Sequence, residues 1–117
     1  AQTGIKSLDV TIDCDNLDAR ELGKMGIPAR FDLCNIEGFE DTNGTMHPAE
    51  DVREAISALG FPIEDAVKDK PSIRLKIDKM FTGLLTGFPG NNNFILTVTE
   101  NNGLSTTKTL KYYVPAN

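Results

Sequence analysis

Carboxylates are the most plentiful reactive side chains of this chain, with 17 Asp and Glu against 12 Lys and Arg. Asp9, Asp13, Asp15 and Asp18 crowd the first segment, and Glu37, Glu40 and Asp41 the second. Paired carboxylates perform glycoside hydrolysis, and several hard oxygens together hold calcium. Neither pattern is specific here. Asp9 and Asp13 alternate with apolar residues, which sends them to the wet face of a strand, and no stretch fits an EF-hand loop. Asp13, Asp15 and Asp18 fit an irregular calcium loop or a solvated acidic turn, and the turn is the simpler reading. The one histidine, His47, has no partners for a triad or a zinc site and is expected to flank or cap a helix start. No GxSxG elbow and no GxxxxGK phosphate loop occurs. The expectation is a chain without catalytic residues, metal or cofactor.

Cys14 and Cys34 admit two readings. In an exported protein they could pair, closing a loop worth roughly 3 kcal/mol on the chain-entropy argument. Against this, Cys14 shares the face of Ile12 while Cys34 opposes that of Leu33, which favours two separate thiols. Sugar recognition would need exposed aromatic platforms with amides beside them. Phe39 and Phe88 fall in loops, and Tyr113 faces outward if Tyr112 faces the core. Phe88, Asn91, Asn92, Asn93 and Tyr113 are therefore the candidate ligand-binding residues.

The elements that must position these groups follow from periodicity. Leu8, Val10 and Ile12 alternate with polar residues, the pattern of a half-buried strand. Residues 17–25 suit one or two helical turns before Gly26-Ile27-Pro28 leads to a short strand at Phe31-Asp32-Leu33. Asp41-Thr42-Asn43-Gly44 signals a turn. A helix is expected over residues 48–59. Pro48 takes its first position, Glu50 and Asp51 lie in its first turn, Val52, Ala55, Ile56 and Leu59 form a narrow apolar stripe, and Gly60 ends it. Ile73, Leu75 and Ile77 alternate as a further strand, and residues 80–85 suit a short helical turn. Phe94, Leu96 and Val98, then Asn102-Gly103, then Leu110, Tyr112 and Val114 spell a tight hairpin rich in threonine.

Five to seven strands with one inserted helix predict a mainly β chain, an immunoglobulin-like antiparallel β-sandwich with a single domain over residues 1–117 and a strand core over residues 5–114. The absence of Trp and the close cysteines separate it from antibody-type domains. The alternative is an α+β fold with one helix on an antiparallel sheet. At 117 residues and net charge −5, nucleic acid is not the expected partner, since its binding needs a basic surface. The charge is uneven: residues 1–65 carry 14 acidic and 5 basic groups, and residues 66–117 carry 3 acidic and 7 basic. No apolar run is long enough to span a bilayer, and the opening Ala1-Gln2-Thr3-Gly4 reads as that of a mature or excised piece.

Three stretches carry a resemblance. They are Gly26-Ile27-Pro28-Ala29-Arg30-Phe31-Asp32-Leu33, then Ala58-Leu59-Gly60-Phe61-Pro62, then Phe94-Ile95-Leu96-Thr97-Val98-Thr99-Glu100-Asn101-Asn102-Gly103 leading to Thr107-Lys108-Thr109-Leu110. In this order they resemble uncharacterised immunoglobulin-like modules in cell-surface lipoproteins of gut Bacteroidetes, over most of residues 5–114. The resemblance implies an extracellular or cell-surface location, other domains of the same protein as partners, and a membrane link only through an anchor outside this chain. It supplies no catalytic residues. The expected role is that of a non-enzymatic spacer, adhesion or interaction domain. The alternative is a carbohydrate-binding module in a glycan-handling system, with a glycan or protein ligand.

Overall fold

The computed structural model describes residues 3–73 and 85–116. Eight elements follow in order: β1 (Ile5–Cys14), α1 (Ala19–Lys24), β2 (Arg30–Asp32), β3 (Phe39–Glu40), β4 (Met46–His47), α2 (Ala49–Ala58), β5 (Gly90–Glu100) and β6 (Ser105–Val114). Short 3₁₀ turns lie at Glu64–Ala66 and Leu85–Gly87. The described chain is mainly β. Its strands form one antiparallel four-stranded sheet in the order β2-β1-β5-β6 and one antiparallel ladder, β3-β4. All of the expected strand beyond Ile73, which itself lies outside any strand, and most of the expected turn at residues 80–85 fall outside the described residues.

Alternation builds the sheet. Leu8, Val10, Ile12 and Cys14 of β1 are buried, as are Asn92, Phe94 and Leu96 of β5 and Phe31 of β2. These define the inner face. Helices, turns and the β3-β4 ladder cover it, adding Leu22 from α1, Val52 and Ile56 from α2, and Phe61, Val67 and Leu85 to one apolar core. Phe61 packs edge-on against Phe31 at 5.9 Å and tilted against Phe94 at 6.2 Å, joining the covering layer to β2 and β5. Burial of this cluster is the main stabilising term.

The helices begin and end as their residues require. Asp18 caps α1 by accepting the Glu21 N–H at 3.0 Å, and Gly26 leaves it at φ 76°. Pro48 is the N-cap of α2 rather than its first helical residue, and Gly60 follows at φ 100°. His47 ends β4 and flanks the helix start, as expected, without capping it, and Phe39 lies in β3 rather than in a loop. That two-residue ladder carries no alternation from which it could be read.

Register places the cysteines apart. The Leu8 N–H side of β1 lies beside Cys34, since Leu33 N donates to Leu8 O and the Cys34 thiol is bonded to the Leu8 backbone. Cys14 sits at the far end of the same strand, opposite Asn92. Six residues of extended chain separate these positions by about 20 Å, beyond the roughly 7 Å that a disulfide can span. Both are free thiols, which corrects the pairing considered above.

Candidate functional site

The strand register decides which candidate ligand residues meet. On β5 and β6 the odd-numbered side chains face away from the core, onto the outer face of the sheet. Asn91 stands opposite Tyr113, and Asn93 opposite Lys111. Asn93 also faces Asp13 on β1, so Asp13, Asn93 and Lys111 form a row across three strands. Tyr113 is 65% exposed at the end of this patch. An aromatic ring, two amides, an ammonium and a carboxylate thus share one open surface. Facing residues in such a ladder lie about 5 Å apart, so the patch spans roughly two sugar rings.

The other two candidates point elsewhere. Phe88 packs against the core and donates its N–H to Leu85 O at 2.9 Å, which removes its ring as a stacking platform. Asn92 is wholly buried. Its Nδ2 donates to Phe88 O at 3.2 Å and Gly90 O at 3.5 Å, and among the described residues its Oδ1 has no partner. It holds the loop over the sheet end from beneath. The sequence did carry this signal, because Asn92 shares the parity of Phe94 and Leu96.

The acidic turn has structural duties. Asp15 Oδ2 accepts the Asn91 N–H at 2.8 Å, and the Asp15 N–H donates to Asn91 O at 2.9 Å. The Asn16 amide donates to Pro89 O. Gly90, at φ 100°, leaves room for this contact, since a Cβ there would stand 2.7 Å from Asp15 Oδ2. Asp18 is spent on α1. Asp13, Asp15 and Asp18 therefore serve three separate tasks, and no group of three His, Cys, Asp or Glu among the described residues is placed to hold a metal ion.

A second polar cluster lies between α1 and the β3-β4 ladder. His47 Nε2 bonds Asp41 Oδ2 at 2.8 Å, and the His47 ring stacks on Phe39 at 4.9 Å. Asp41 Oδ1 accepts the N–H groups of Asn43 and Thr45, both at 2.9 Å. The His47 bond and these two backbone donors hold the Asp41 carboxyl below its ordinary value. With both oxygens occupied, Asp41 fixes the turn and orients His47.

Both thiols are raised, to about 11 each, first by burial. Cys14 is opposed in this by a backbone bond from Asn93 and pushed further by Asp13 and Asp15. Neither has the electropositive setting of a reactive cysteine. Among the described residues no helix is long and apolar enough to cross a membrane. No protein-family profile, no curated protein and no solved structure matches the chain.

Proposed function

We propose that this chain is a non-enzymatic module of an exported bacterial cell-surface protein, which binds a partner on the outer face of its sheet. The observation that carries this reading is the open patch of Tyr113, Asn91, Asn93, Lys111 and Asp13, brought together by the β1-β5-β6 register. Tyrosine offers a flat apolar face with a polar tip, and amides both donate to and accept from hydroxyls. That chemistry suits a carbohydrate, so glycan binding is the specific form of the proposal, and a plain spacer is its rival. The immunoglobulin-like sandwich belongs to the same proposal. It is supported by the antiparallel sheet, by the long β5-β6 hairpin and by the resemblance to Bacteroidetes surface modules, which also supports the location and the neighbouring domains.

Titration of the chain against a panel of plant and host glycans tests the reading. Saturable binding is expected, weakened at least roughly tenfold by Tyr113→Ala, the loss of one stacking platform. Tyr113 is exposed, so the melting temperature should stay where it was. Absence of binding across the panel would leave the spacer role.

A further inference from the structure

The sheet has two edges, and they differ. β2 is three residues long, whereas β6 has ten. Among the described residues β6 pairs only with β5. The direction of its backbone groups follows from the hairpin. The Glu100 N–H donates to Leu104 O at 2.8 Å, which makes this the first hydrogen-bonded pair. Pairs then alternate, so even residues of β6 bond to β5 and odd residues do not. The hydroxyl contacts agree, since Thr97 meets Thr107 at 3.1 Å and Thr99 meets Ser105 at 3.0 Å, as the closer non-bonded pairs allow. The N–H and C=O groups of Ser105, Thr107, Thr109, Lys111 and Tyr113 therefore point off the sheet.

Such an edge invites pairing, and proteins usually shorten it, cover it or charge it. Here it is long and holds no proline before Pro115. Its first half is bare on both faces, since residues 105–109 are all exposed, including Thr106 and Lys108 of inward parity. Among the described residues the only such device is charge. Residues 101–117 carry Lys108 and Lys111 and no Asp or Glu, in a chain of net charge −5. Two copies set edge to edge would bring their lysines together, which disfavours self-pairing. An acidic strand would meet the same lysines favourably.

We propose that the free edge of β6 takes up an extended acidic polypeptide segment as a fifth strand of the sheet. Backbone pairing with the five odd residues supplies the attachment, and Lys108 and Lys111 select the charge of the incoming strand. Lys111 is shared with the outer-face patch, but the attachment itself uses the edge amides, which glycan binding does not need.

The test uses two labelled peptides as long as β6, one alternating Thr and Glu and one alternating Thr and Lys. Fluorescence anisotropy should show saturable binding of the acidic peptide, roughly tenfold or more tighter than that of the basic one at low salt. Amide shifts should fall on residues 105, 107, 109, 111 and 113. Thr107→Pro removes an edge N–H without touching a backbone bond to β5, losing only the hydroxyl contact to Thr97, and should abolish peptide binding while glycan binding persists. Joint Lys108→Glu and Lys111→Glu substitution, on the exposed surface, should keep the fold and reverse the preference. No saturation with the acidic peptide, equal binding of both peptides, or an unchanged preference in the lysine variant would overturn the proposal.

Discussion

Asn92 shows how one side chain can serve position rather than recognition. Its Nδ2 ties down the Phe88 and Gly90 carbonyls, while its buried Oδ1 has no partner among the described residues. Asn92→Ala removes those bonds and also a costly oxygen, so it should cost only about 1 kcal/mol in denaturant melts. Asn92→Asp loses the donors and buries a carboxyl against two carbonyls. It should cost about 3 kcal/mol or more at neutral pH and less in acid, where the new group is neutral. Asp41 titrates in the opposite sense. Its folded value lies below the ordinary 3.8, so its stabilisation is complete above that value and disappears as pH falls through the lower one. The thiols, raised from 9.0 to about 11, favour the fold below pH 9 and lose that advantage as pH climbs toward 11. A melting profile against pH should therefore have a shallower acid limb in Asp41→Asn and flatten at the alkaline end in the Cys14→Ala, Cys34→Ala double variant. Among the site residues, Tyr113 was legible from parity, whereas Asn91 and Asn93, expected in a loop, lie in β5. Asp41 with His47 was not legible, because their meeting depends on a turn whose ladder is too short to leave a pattern.

At the scale of elements, α1 and the β3-β4 ladder make contact through glycine. A Cβ on Gly23 would lie 2.8 Å from the Asp41 Cβ, and one on Gly26 would lie 3.6 Å from His47 Nδ1. Alanine is ordinarily the better helix former by about 1 kcal/mol. At Gly23 the clash should reverse that sign, so Gly23→Ala should lower the melting temperature by pushing α1 off the ladder. Gly87→Ala meets nothing within 4 Å and should leave it nearly unchanged. The contrast is readable by calorimetry on the two variants. β1, α2 and the β5-β6 hairpin were legible because each repeats its period over ten residues or more. The six-residue α1 and three-residue β2 were legible only through the glycines and prolines that bound them. Tertiary pairing, not local pattern, decided that β1 would lie between β2 and β5.

At the scale of the molecule, the uneven charge acquires a direction. Glu21, Glu40, Asp41, Glu50, Asp51 and Glu54 belong to the layer of α1, α2 and the β3-β4 ladder, whereas Lys108 and Lys111 stand on the β6 edge. These carboxylates and the two lysines thus lie on different parts of the fold, while Asp13 shares the outer face with Lys111.

The pairing of β1 with β5 also has a kinetic consequence. Ile5 lies opposite Glu100, so the central pair of the sheet joins nearly the two ends of the chain. Closing so long a loop loses entropy before any contact repays it, which slows folding of such topologies to milliseconds or seconds. The β5-β6 hairpin, with its local turn, can form in about microseconds. Stopped-flow refolding should show a main phase in the slower range, further slowed by Val10→Ala if the central pair forms in the transition state. On a ribosome, β1 must wait without its partner until residues 90–100 have emerged.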